Sequence, residues 1–153
     1  NFKNKDELAA AAFEYSYSLL IEDLSRKVLP KKTAPEKLLA ILQYYKNYTN
    51  DPTIEGGCPL QNTDIDADDA YPFLKKKARE ALQQMLAVLQ KILEKGIREK
   101  QFRADLPVKK EAELFFATIE GGIMMAKVSD DVGILNRLLD NLKHRIETEY
   151  LCN

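Results

Sequence analysis

Apolar residues recur along this chain at intervals of three and four, and no segment alternates with a period of two. From Asn4 to about Val28 one row holds Leu8, Ala12, Tyr15 and Leu19, and a second holds Phe13, Tyr17, Leu20, Leu24 and Val28. A helix apolar on more than one side belongs inside a bundle. Pro30 to Thr33 ends it, and Thr33, Pro35 and Glu36 open a second helix over Ala34–Tyr48, with the proline in the first turn, where its missing amide costs nothing. Turn-forming residues fill Asn50 to Leu60. A short helix capped by Asn62 or Thr63 is expected to run to about Ala70. The longest helix is predicted from Pro72 to Lys100, with Leu74, Ala78, Leu82, Met85, Leu89, Ile92, Leu93 and Ile97 on one broad face; at ~1.5 Å per residue it spans about 40 Å and forms the central pillar. After a connector over Gln101–Pro107, a fifth helix covers Val108–Val128, and a sixth, capped by Ser129-Asp130-Asp131, continues to about Leu151 with Leu135, Leu138, Leu139, Leu142 and Ile146 at heptad-like spacing. The expected fold is all-α, an antiparallel bundle of about six helices in one domain over residues 1–153.

With 45% hydrophobic and 31% charged residues among 153, the chain has the composition of a globular domain large enough for a real core. The net charge of -1 argues against a polyanion-binding body. Charge is nonetheless uneven. Asp51, Glu55, Asp64, Asp66, Asp68 and Asp69 stand in a stretch without Lys or Arg, whereas bases dominate from Lys75 to Arg103; a solvated loop beside a solvated helix face accounts for this. No apolar run is long enough to span a bilayer, and no signal peptide is visible.

Candidate chemistry is sparse. Cys58 and Cys152 lie far apart and make no disulfide framework, which suits a reduced, cytoplasmic setting. Cys58 has no neighbouring base to activate it. A single histidine, His144, excludes paired-His metal sites and most His-dependent dyads within one chain. The acids from Asp64 to Asp69 lack the glycine and the twelfth-position glutamate of a calcium loop. No nucleophile beside a base and no phosphate loop is present, so neither an enzyme nor a cofactor is expected. The most informative stretch is Ile119-Glu120-Gly121-Gly122-Ile123-Met124-Met125, where two mid-helix glycines each cost ~1 kcal/mol relative to alanine and Glu120 sits amid apolar neighbours, needing a cation, a donor or solvent. Arg137, Lys127 or a cationic ligand are its candidate partners.

Four stretches, taken in order, carry a family resemblance. The segment Phe2-Lys3-Asn4-Lys5-Asp6-Glu7-Leu8 resembles the junction that joins a helix-turn-helix head to the regulatory body in the TetR/AcrR family of bacterial transcriptional regulators. Gly57-Cys58-Pro59-Leu60-Gln61-Asn62 is similar to a loop of many members, Gln101-Phe102-Arg103-Ala104-Asp105-Leu106 to the connector after the family's long helix, and Ile119-Glu120-Gly121-Gly122 to the centre of the helix that follows it. The resemblance implies a ligand-responsive, DNA-binding regulator, a repressor released from its operator by a small molecule, with residues 1–8 as the junction to a DNA-binding unit upstream. The rival reading is a dimeric helical sensor or interaction module that carries no such head.

The resemblance also implies where the sites lie. A small apolar or amphipathic effector would be lined by Tyr45, Tyr48, Met85, Leu89, Phe116, Glu120 and Ile123, and a homodimer would form through the last two helices, with Gly121, Gly122, Met125, Leu135, Leu138, Leu142 and Ile146 at the seam and His144 near it. Operator DNA would be met by the upstream unit, with Lys3 and Lys5 the residues of this chain closest to it.

Overall fold

A computed structural model describes residues 4–48, 58–66 and 72–152. Among them are six α-helices: α1 Lys5–Val28, α2 Ala34–Tyr48, α3 Pro59–Asp66, α4 Pro72–Arg98, α5 Val108–Ser129 and α6 Val132–Arg145, the last continued by one wider turn over Ile146–Tyr150. Among the described residues the sole β-type pairing is an isolated bridge between Phe102 and Leu151.

Local chemistry sets the helix ends. The Asn4 side chain accepts from the Glu7 amide at 2.9 Å, closing the first turn of α1. Thr33 and Glu36 form a reciprocal capping box at α2: the Glu36 carboxylate accepts from the Thr33 amide, and the Glu36 amide donates to the Thr33 hydroxyl. These bonds lower the Glu36 pKa. Lys100, at φ 58, terminates the long helix, and the amides of Gln101 and Phe102 both return to the Gly96 carbonyl.

Two boundaries differ from the expectation. α3 begins at Pro59 rather than at Asn62 or Thr63, because the proline occupies the first helical position and the Asn62 amide already bonds the Cys58 carbonyl; its expected end near Ala70 lies outside the described residues. Asp131 alone caps α6, accepting from the Gly133 amide. Ser129 instead closes α5, its hydroxyl donating back to the Met125 carbonyl, and Asp130 turns the chain through a left-handed conformation at φ 51.

α4 packs against α1, α2, α3 and α5, and α6 packs against α5 and α2. The Lys77–Glu14 ion pair at 2.6 Å and the Tyr17 hydroxyl donating to the Ala81 carbonyl at 3.0 Å set α1 parallel to α4. One end of the bundle therefore holds the start of α1. The other collects the end of α4, the start of α5 and the end of α6, where Glu111, a buried carboxylate, accepts from the Arg145 guanidinium at 2.9 and 3.1 Å and from the Tyr150 hydroxyl at 2.6 Å. Tyr45, Phe115, Leu38, Leu89, Leu93, Ile119, Leu135, Leu139 and Leu142 form the fully buried centre.

Candidate ligand-binding site

Glu120 lies in the middle of α5, and residues from a distant part of the chain meet it there. Phe116, Glu120 and Ile123 share a face of α5 by their spacing of four and three. The Gln61 side-chain amide of α3 donates to the Glu120 carbonyl oxygen at 2.8 Å, across 59 positions of sequence. The Cys58 thiol, at the start of α3, donates to the Glu120 carboxyl group. Tyr17 of α1 lies near Cys58, stacks on Phe13 at 5.8 Å and reaches the Ala81 carbonyl of α4. Residues 58 and 61 thus meet α5 at Glu120, and Tyr17 of α1 joins Cys58 on one side to the Ala81 backbone of α4 on the other.

The electrostatics of this junction favour neutral forms. Burial raises the Glu120 pKa, outweighing the thiol's hydrogen bond. Burial, and then the Glu120 charge, push the Cys58 thiol up. The Tyr17 phenol, desolvated, is pushed up to about 12. Cys58 is therefore a buried, unreactive thiol rather than an exposed loop cysteine. One carboxyl oxygen of Glu120, Oε1, is shielded from solvent and has no hydrogen-bond partner among the described residues. Arg137, a candidate partner on sequence grounds, is exposed and pairs with Asp131 at 3.6 Å instead.

A raised carboxyl pKa gives a stability signature of definite sign. Below the ordinary carboxylate value both folded and unfolded chains carry the proton; above it the unfolded chain ionises first, so stability falls as pH rises through the folded value. On going from about pH 5 to about pH 8 the wild type should lose stability relative to Glu120→Gln in urea titrations. A constant difference between the two proteins over that range would mean that Glu120 is already ionised.

The structure treats the expected lining unequally. Met85, Leu89, Phe116 and Ile123 are buried on the facing helices α4 and α5. Tyr45 is buried in α2, edge-on to Tyr44 at 5.2 Å. The Tyr48 side chain, Asp68 and Asp69 lie outside the described residues, as does Lys3; Lys5 is exposed at the first position of α1. Sequence reasoning missed Cys58, Gln61 and Tyr17 as members of this cluster. A separate cleft of about 160 Å³ between α2 and α6, lined by Leu39, Leu42, Gln43, Leu139 and Lys143 and crossed by the Lys46–Asp140 ion pair, holds none of the expected residues.

The profile of the tetracyclin repressor-like C-terminal domain matches residues 34–142. The chain belongs to the TetR family. It is similar to a TetR-family transcriptional regulator from Cytophaga hutchinsonii, 34% identical, with a TM-score of 0.89 over 100% of this chain and 76% of that one. A TetR transcriptional regulator from Chloroflexus aurantiacus J-10-FL superposes at a TM-score of 0.93 with 26% identity, over 99% of this chain and 77% of its own. The fatty acid metabolism regulator protein of Bacillus subtilis strain 168 is 25% identical over 92% of this chain and 73% of its own. As a TetR-family member the chain is a ligand-responsive transcriptional regulator, and it belongs to a regulatory rather than an enzymatic family. No helix among the described residues is long and apolar enough to cross a membrane.

TetR-family regulators are dimeric, and burial divides the residues expected at the seam. Leu135, Leu142 and Ile146 are 0%, 2% and 1% exposed within the single chain. They face its own core. Gly122 is used the same way, since a Cβ there would lie 2.7 Å from Leu135 Cδ1 and 3.1 Å from Leu138 Cδ1. The heptad-like stripe of α6 therefore packs against α5 of the same chain, a distinction that spacing alone cannot make. Gly121 is different: a Cβ there meets no atom within 4 Å. Around it α5 exposes Leu114, Met124, Met125 and Val128, and α6 exposes Val132 and leaves Leu138 partly open. His144 is exposed on α6.

Proposed function

We propose that this chain is the effector-binding and dimerisation domain of a repressor that leaves its operator when a small apolar or amphipathic molecule enters between α1, α3, α4 and α5. The observation carrying this reading is the Glu120 cluster, a carboxyl group in the middle of α5 that meets Cys58 and Gln61 and keeps one oxygen without a hydrogen-bond partner among the described residues. The name of the Bacillus subtilis relative, a fatty acid metabolism regulator, agrees with an effector that carries an apolar chain. Ligand binding would favour one arrangement of α4 against α5. Because Tyr17 and Glu14 tie α1 to α4, that shift would reach the start of α1, where the family's DNA-reading head joins. Two heads in a dimer would then change spacing and lose their adjacent half-sites. The test is a mobility-shift assay with the full-length protein on the DNA upstream of its own gene, with and without candidate effectors. Specific binding that an effector weakens supports the reading, and absence of specific binding under all conditions overturns it.

The dimer seam is proposed to be the exposed stripe of α5 and α6 centred on Gly121, Met125 and Leu138, with Leu135, Leu142 and Ile146 supporting it from beneath. The two adjacent glycines then separate cleanly. Gly121→Arg should leave the monomer folded while abolishing the dimer in sedimentation velocity. Gly122→Ala should destabilise each subunit by up to about 2 kcal/mol, since overpacking against Leu135 costs about 1 to 3 kcal/mol and the gain of alanine over glycine in a helix offsets about 1 kcal/mol of it. A dimeric Gly121→Arg variant would place the seam elsewhere.

A further inference from the structure

We infer that the cleft between α2 and α6 is a second ligand site, separate from the interior cluster at Glu120, and that it takes a small anion with an apolar body, a carboxylate about the size of benzoate. The cleft has a volume of about 160 Å³, close to the roughly 150 Å³ of an apolar cavity that accepts benzene. Its floor is formed by Leu39, Leu42 and Leu139. Leu42 and Leu139 belong to the core, and Leu39 packs against it while staying partly open. Two helices already packed together thus leave a benzene-sized gap over leucine side chains. Interiors are ordinarily close-packed, and atoms lining a gap forfeit the dispersion contacts that a fitting molecule would restore.

The charges around that floor select the sign of the ligand. The Lys46 ammonium reaches from α2 to the Asp140 carboxylate of α6 at 3.2 Å, so the acid of the lining already has its cation. Lys143, one turn further along α6, is placed differently. Its ion pair with Glu147 is 3.9 Å long, beyond hydrogen-bond reach, which leaves its donors for another acceptor. With two lysines against one aspartate, the lining carries one positive charge in excess. An ammonium ligand would add to that charge, and a neutral ligand would use the leucine floor alone. A carboxylate sets its oxygens toward Lys143 and its apolar body on Leu39, Leu42 and Leu139. Because Lys143 is exposed, the pairing is worth a few-fold in affinity rather than orders of magnitude. The occupant touches α2 and α6 together and so favours one spacing between them.

The experiment is a titration of the isotope-labelled full-length protein with benzoate, benzyl alcohol and benzylamine at about pH 7, where the acid and the amine are both charged, followed through the backbone amide resonances. Shifts are expected to cluster at residues 39–46 and 139–143. Benzoate should bind about three- to fivefold more tightly than benzyl alcohol, with benzylamine weakest, and its advantage should shrink at about 1 M salt. Lys143→Gln should bring benzoate down to the level of benzyl alcohol while benzyl alcohol itself changes less than about twofold. Lys143→Glu should reverse the order of benzoate and benzylamine. The order of the three ligands and the place of the shifts are read on the wild type and so do not rely on a variant folding. Shifts confined to the surroundings of Glu120, or no shifts with benzoate up to about 20 mM, overturn the cleft as a site and leave the interior-pocket reading standing. Benzyl alcohol or benzylamine binding at residues 39–46 as tightly as benzoate, or benzoate affinity that survives Lys143→Gln, overturns the assignment of an anion.

Discussion

Gly96→Ala should destabilise the domain by about 3 kcal/mol, at the upper end of what overpacking in a core costs. A Cβ on Gly96 would lie 2.1 and 2.5 Å from the Phe102 ring and 2.9 Å from the Ala34 Cβ, and neither neighbour has room to give. Phe102 is 1% exposed, is backed edge-on by Tyr150 at 5.8 Å, and has its own amide bonded to the Gly96 carbonyl. Ala34 is fully buried, and its amide is held by the Gln101 side chain at 2.8 Å. The clash thus pushes apart the end of α4, the start of α2 and the connector at once. Urea unfolding checks the size of the effect. Adding Phe102→Leu to Gly96→Ala should recover about 1 kcal/mol of coupling, because the smaller side chain yields to the new methyl. A Gly96→Ala protein within about 0.5 kcal/mol of wild type would show that the Phe102 ring can retreat after all.

Glu111→Ala is expected to cost about 3 kcal/mol. Removing one member of a buried ion pair leaves the other charge without compensation, for which losses of about 3 to 5 kcal/mol are usual. Here the lower figure applies, since the Arg145 guanidinium keeps a 2.9 Å bond to Glu149 at its other edge. The Tyr150 hydroxyl, whose pKa burial and Glu111 raise, loses its acceptor as well. The network holds the chain's last turn, because Arg103 bonds the carbonyls of Glu149 and Tyr150 on the same side. Hydrogen exchange should accordingly accelerate first at residues 146–151 and along the start of α5. Replacing the pair together, Glu111→Met with Arg145→Met, should be near neutral or stabilising. A single Glu111→Ala change that costs less than about 1 kcal/mol would mean that solvent reaches Arg145 when the carboxylate is gone.

The two sites differ in how they could be foreseen. Gly96 stands in a run of long apolar and charged side chains, so a glycine in the last turn of α4 was the available sign of a close approach, but Phe102 and Ala34 as its neighbours were not readable. Gly121 and Gly122 stood out together, and their roles proved opposite: Gly122 touches Leu135 of its own chain, whereas Gly121 faces open space. Glu111 gave no sequence signal at all. A glutamate in the first turn of a helix after a proline reads as a helix-capping acid, and its burial follows only from Arg145 and Tyr150, more than thirty positions away.

Periodicity, capping residues and prolines were enough for the sequence to determine that the chain is a helical bundle, where α1, α2, α4, α5 and α6 lie to within a few residues, and, through its short motifs, that it resembles the TetR/AcrR regulators. Those signals are local, arising from hydrogen bonds and apolar faces within a few turns. A face that must be buried does not state what buries it. Tertiary structure alone decided that most of the α6 stripe turns inward, that Cys58 and Gln61 close on Glu120 of α5, and that the carboxyl keeps an oxygen without a partner among the described residues. Each of these depends on which elements pack across many tens of residues, and the charge state of Glu120 follows from that packing rather than from its neighbours in sequence.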